Sequence, residues 1–119
     1  MKLTKRPRWE ELICSFMVAA GIPGFRYHKA KRRFFGVKGM AFVRIMPHSE
    51  GGWAKLPGHF KRYEIERNQG SPNPVVMIAT SSHYGPNIED SFVITRLETF
   101  ARMLADLVQD RPDRYLGKE

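Results

Sequence analysis

Between Glu11 and Glu50 the chain has no carboxylate at all. Nothing inside that window can neutralise Arg26, Lys29, Lys31, Arg32, Arg33, Lys38 and Arg44, so the segment presents a positive surface suited to an anion. Other things are scarce too. A single cysteine, Cys14, excludes an internal disulfide and a cysteine-rich metal cluster, and points to a reducing compartment. The longest apolar stretch, residues 12–22, is broken by Ser15 and too short to cross a bilayer, and the opening MKLTKRPRWEE is charged where a signal peptide would be apolar. A soluble cytoplasmic protein with no membrane partner is the expectation.

Several chemistries lack their motifs. The glycines form neither GxGxxG nor GxxxxGK, which removes a nucleotide-phosphate cradle. Ser81-Ser82 lacks the GxSxG elbow that exposes a hydrolase nucleophile. His28, His48, His59 and His83 match no metal-ligand spacing such as HExxH, although His48 and His83 each follow an expected strand, where a general base or phosphate donor is well placed. Nothing near Cys14 in sequence lowers its pKa, which leaves it a packing residue. No catalytic residue, no metal and no cofactor is assigned.

What is present is charge, unevenly spread. Residues 1–40 hold ten lysines and arginines against two acids, whereas residues 41–119 hold ten against ten, so the whole net charge of +8 comes from the first third. Clustered cations gain affinity for a polyanion by releasing its condensed counterions. With 42% hydrophobic and 12% aromatic residues in 119, the chain is nonetheless composed like an ordinary folded protein, read as one domain over 1–119 with a short basic arm at 1–8 that includes Lys5, Arg6 and Arg8.

The periodicity supplies the elements. Trp9, Leu12, Ile13, Phe16, Met17 and Ala20 form one helical face, closed by Gly21. Residues 25–35, FRYHKAKRRFF, read as extended structure or a loop leading into a strand; Phe25, Tyr27, Phe34 and Phe35 either stack on unpaired bases or pack the segment onto the body. Residues 40–46 (MAFVRIM) read as a strand buried on both faces except at Arg44, which needs a partner. Residues 57–69 favour a helix, VVMIA at 75–79 a buried strand, and 91–94 a short strand. Thr95-Arg-Leu-Glu98 predicts a capping box for a last helix whose face is Leu97, Phe100, Ala101, Leu104, Leu107 and Val108, ended by Arg111-Pro112. The fold class is α/β, a small mixed central sheet flanked by helices.

In this order of elements the chain resembles the restriction-endonuclease-like nucleases, especially the small Holliday-junction resolvases of archaea and phages. WEELICSFMVAAGIPGFRYHKAKRR is similar to their opening, with Glu10 or Glu11 in the position of the first-helix acid; GVKGMAFVRIMP is similar to the core strands, HFKRYEIERNQ to the next helix and NPVVMIATSS to the next strand. The resemblance implies a restriction-endonuclease-like fold and a metal site built on an Asp and a Glu-x-Lys motif. Here the Asp position falls near Phe34 to Val37, where no acid occurs, and Phe42 or Val43 replaces the Glu, with Arg44 keeping a cation. A relative with a degenerate site that keeps DNA affinity, of the kind phages and mobile elements use, is what this implies.

The expected function is therefore binding of nucleic acid, DNA favoured, through Arg26, His28, Lys29, Lys31, Arg32, Arg33, Lys38 and Arg44. Two alternatives stay open. One is an active Mg²⁺-dependent nuclease or resolvase in which Glu10, Glu11, Glu64 or Glu66 converge on a metal; the other is an inhibitor or adaptor docking on an acidic protein surface. The apolar last helix offers a homodimer interface.

Overall fold

The computed structural model describes residues 8–68, 74–81, 83–85 and 87–117. The arm residues Lys5 and Arg6, together with Gln69, Pro72 and Ser82, lie outside them. The elements run α1 (Trp9–Ala19), β1 (Arg26–His28), β2 (Arg33–Phe35), β3 (Ala41–Ile45), α2 (Leu56–Asn68), β4 (Val75–Ala79), β5 (Phe92–Ile94), α3 (Leu97–Asp110) and α4 (Pro112–Tyr115). Single 3₁₀ turns occupy Trp53–Lys55 and Ile88–Asp90.

The five strands form one mixed sheet in the order β1-β2-β3-β4-β5. β1, β2 and β3 make an antiparallel meander, β3 and β4 are parallel, and β5 returns antiparallel to β4. Parallel neighbours require a crossover, and α2 supplies it. The sequence of VVMIA shows how the sheet sorts its side chains, because successive residues point to opposite faces. Val75, Met77 and Ala79 join Ala41, Val43 and Ile45 under Leu56 and Phe60 of α2. Val76 and Ile78 join Phe25, Phe34 and Phe42 under Ile13 of α1. All five residues of β4 are buried, which explains a strand with no polar position.

The stretch 25–35 is a hairpin, with Tyr27 opposite Phe34 and His28 opposite Arg33. Phe25 and Phe34 stack with ring centroids 5.5 Å apart, and Phe34 is fully buried. Two of the aromatics considered for base stacking are thus core. After β2 the chain turns at Gly36, whose φ of 139° and closeness to the Phe25 backbone leave no room for a side chain.

One sequence expectation is corrected here and another is extended. The capping box at Thr95 does not form: α3 starts after Arg96 with no side-chain cap, and the Thr95 hydroxyl instead donates to the Val75 carbonyl at 2.8 Å. The sheet edge competes for that hydroxyl and wins. Pro112 does more than stop α3, since it opens the short α4 from its first position, where its missing N–H costs nothing. No helix of the described residues is long and apolar enough to cross a membrane.

Candidate nucleic-acid interface

β1, β3 and β4 run in the same direction, so the turn after β1 and the loops after β3 and β4 come out on one edge of the sheet. Only Phe34 and Phe42 pair across β2 and β3, after which β3 is paired on its β4 side alone. Beside that unpaired edge lies a cleft of about 530 Å³. The hairpin turn brings Lys31, Arg32 and Arg33 to it, β3 brings Val43 and Arg44, and α2 brings Arg62, Tyr63 and Glu66.

The turn is held locally. The Lys31 amide donates to His28 Nδ1 at 3.2 Å and the Arg32 amide to the Lys29 carbonyl at 3.3 Å. His28 therefore acts mainly as a turn brace, with only Nε2 left for a ligand. Arg32 has φ 51°, the single left-handed non-glycine backbone among the described residues. An arginine there costs about 1 kcal/mol or more relative to its relaxed conformation, and such outliers concentrate at binding sites. Arg32 also lines a second hollow, with Arg8, Lys29, Tyr27, Glu10 and Glu11, so its guanidinium stands between two depressions.

Arg44 has the partner its half-buried place demands. Nη1 donates to Glu10 Oε1 at 2.8 Å, Nε donates to the buried Thr80 hydroxyl at 2.8 Å, and the guanidinium lies 5.9 Å from the centre of the Trp9 ring. The side chains of the pair are 16% and 20% exposed. Arg44 is in effect part of the cleft wall, tying α1 to β3. By contrast, no carboxylate of the described residues lies within 4.0 Å of Lys31, Arg32, Arg33 or Arg62.

The acids named for a metal are dispersed. Glu10 is engaged by Arg44, Glu64 by a two-pronged contact from Arg96 at 2.6 and 2.5 Å, Glu11 is exposed on α1, and Glu66 alone stands at the cleft wall from α2. Glu50 lines the cleft but accepts the Met46 amide at 2.8 Å. Among the described residues no three His, Cys, Asp or Glu side chains gather as a metal would require. The Arg96 hydrogen bonds hold the Glu64 carboxyl below its ordinary range, while burial pushes the Cys14 thiol up, away from a nucleophilic role.

The remaining cations separate. Lys29 is exposed in the turn. Arg26 begins β1 and lies over Phe35 at 5.8 Å, and Lys38 sits in the turn after β2, at the opposite edge of the sheet from Lys31. Arg62 was not among the residues chosen from sequence. It sits in the mixed-charge stretch KRYEIER, where the acids hide it, and only the crossover helix carries it to the hairpin.

A second cluster was also invisible in sequence, because it joins two stretches, 48–53 and 83–92, that lie 30 positions apart in the chain. Tyr84 lies among Phe92 (5.0 Å, edge to face), His48 (5.5 Å) and Trp53 (5.9 Å), and the His48 and His83 rings are 4.6 Å apart. Trp53 and Phe92 are 45% and 53% exposed. His83 Nδ1 is held 3.0 Å from the Ser81 hydroxyl, and His59 Nε2 lies 2.9 Å from the Glu50 carbonyl. Compared with protein-family models, with curated proteins and with solved structures, the chain matches none.

Proposed function

We propose that the protein binds the phosphates of nucleic acid, DNA foremost, in the cleft at the hairpin turn and does not cleave them. The observation that carries this is an imbalance. Lys31, Arg32, Arg33 and Arg62 reach one concave surface with no carboxylate of the described residues bound to them, while the acids there are occupied by Arg44 or by a backbone amide, or stand at its wall as Glu66 does. Phosphate oxygens are the acceptors such a set of donors lacks.

The element order supports the likeness to the restriction-endonuclease-like nucleases. A helix, a three-strand meander, a crossover helix and a parallel strand follow one another as that resemblance requires. In this reading Glu10 occupies the first-helix acid position and Arg44 the cation position, and the two neutralise each other where relatives would hold a metal. Phe34 and Phe42, at or beside the acid positions, are core side chains. A protein of this kind occupies DNA, for a phage or mobile element, without hydrolysing it.

The test is DNA binding by fluorescence anisotropy across a salt series. If the four cations each neutralise one phosphate, log K falls against log salt with a slope on the order of −4. Arg32→Ala with Arg33→Ala should weaken binding to all sequences alike, and unchanged affinity would remove the cleft from consideration. Incubation with Mg²⁺ and branched DNA distinguishes the nuclease alternative: cleavage lost in Glu66→Gln would overturn the non-catalytic reading.

A further inference from the structure

The phosphate cleft occupies one end of a sheet edge whose other end carries the exposed aromatic cluster. The turn between β1 and β2, the loop after β3 that leads to His48 and Trp53, the loop after β4 that holds His83 and Tyr84, and the start of β5 at Phe92 all emerge on that edge. Neighbouring strands are about 4.8 Å apart, so two to three spacings separate the end of β2 from β4 and β5, roughly 10–15 Å. Nucleotides stacked at about 3.4 Å each cover that distance in three to five steps.

Resting on the phosphate-binding reading, we propose that the strand held in the cleft is unpaired at one end, and that its bases stack on Trp53 and Phe92, which Tyr84 braces from the core side. The nucleic acid so recognised is single-stranded, tailed or forked rather than blunt duplex. Three features favour a base over another occupant. Trp53 and Phe92 are about half exposed, whereas Phe25 and Phe34 of the basic segment are buried, and the other exposed aromatics, Phe16, Phe100 and Tyr115, lie on α1, α3 and α4 rather than on the loops at this end of the sheet. Phe92 meets Tyr84 and Trp53 in T-shaped contacts, each of which occupies only one ring face, and the exposure of Trp53 and Phe92 leaves the rest of those two rings to solvent. The cluster also continues into two exposed imidazoles, and His48 lies in the chain between Met46 and Glu50, which line the basic cleft, so one strand can meet the cations and then the rings. Base stacking on aromatics tolerates any sequence and accounts for much of the affinity of single-strand binders.

The experiment uses the full chain in five forms: wild type, Trp53→Ala with Phe92→Ala, Arg32→Ala with Arg33→Ala, Trp53→Phe, and Trp9→Phe, which leaves Trp53 as the single tryptophan. Each is titrated with hexathymidylate, with a duplex bearing a six-nucleotide tail, and with the blunt duplex. We expect hexathymidylate and the tailed duplex to quench Trp53 fluorescence in Trp9→Phe, and blunt duplex to leave it unchanged. The double aromatic variant should lose about tenfold or more of its affinity for tailed DNA and none for blunt duplex. Arg32→Ala with Arg33→Ala should weaken both. Tailed and blunt DNA bound equally by wild type, or an aromatic variant that binds tailed DNA as wild type does, overturns the stacking proposal and leaves the cleft reading intact. Equal loss on both DNAs in the aromatic variant assigns the cluster a structural role and overturns it too. Failure of the wild type to bind any of the three ends both. Trp53→Phe, which keeps a ring, should restore tailed-DNA affinity if stacking rather than folding is at stake.

Discussion

α2 and α3 have almost the same length, 13 and 14 residues, and opposite fates. α2 has the weaker pattern, LPGHFKRYEIERN, yet it buries Leu56 and Phe60 against the sheet. α3 has the regular stripe Leu97, Phe100, Leu104 and Leu107, yet buries none of its residues; Leu97 is 80% exposed. Topology decides between them. α2 joins two parallel neighbours and must lie across the face between them, whereas α3 leaves the edge strand β5 with its far end attached only to the short α4. The described residues consequently extend 57 Å in one direction against 33 and 27 Å in the others. An amphipathic stripe states that a face suits apolar cover, and the chain connection determines whether the same fold provides it.

The largest effect should come from α2. Phe60→Ala removes a buried ring that the sheet cannot refill, and a loss of about 3 kcal/mol in a urea titration is expected. A loss below about 1 kcal/mol would mean that α2 covers the sheet no better than α3 does. α1 falls between the two helices, since it buries Ile13 but leaves Phe16 exposed, and its strongest tie is polar. Glu10→Ala leaves the half-buried Arg44 guanidinium with only Thr80, which should cost about 2 kcal/mol, below the figure for a fully buried pair and above that for a surface one. Arg44→Met added to Glu10→Ala should recover part of the loss; an additive double variant would show that the two groups do not interact.

The polar link between α2 and the entry to α3 is the Glu64–Arg96 contact. Because Glu64 is held below its ordinary value of 4.5, its contribution is present above that pH and is lost as pH falls through the depressed value. Glu64→Gln should therefore lower stability at neutral pH by under about 1 kcal/mol, since Arg96 is largely exposed, and should flatten the acid limb of the stability profile. An acid limb as steep in Glu64→Gln as in the wild type would assign the pH dependence to other carboxylates.

Much of this was legible in the chain and the rest was not, for reasons that particular residues show. VVMIA and MAFVRIM declared buried strands because every position, or every position but Arg44, is apolar, and the unpaired arginine foretold a partner although not Glu10. The acid-free window marked Lys31, Arg32 and Arg33. It could not separate them from Lys38, because one strand later the hairpin sends that lysine to the opposite edge. Arg62, Trp53, Tyr84 and Phe92 carry no local signal, since Arg62 acquires its meaning from the hairpin about thirty positions earlier and the rings acquire theirs from the meeting of the loops after β3 and β4.

The smallest effect should be at α3. Leu104→Ala removes an exposed side chain and installs a residue of slightly better helix propensity, so stability should change by no more than about 0.5 kcal/mol. Phe100 and Met103 border an apolar hollow of about 420 Å³ between α1 and β5, which is the place where α3 comes nearest to sharing the core. Phe100→Ala should accordingly cost more than Leu104→Ala and less than Phe60→Ala, a graded series measurable in one set of titrations. If Leu104→Ala instead cost as much as Phe60→Ala, the stripe on α3 would be buried in solution, and the contrast between the two helices would lie in where their cover comes from rather than in whether they have it.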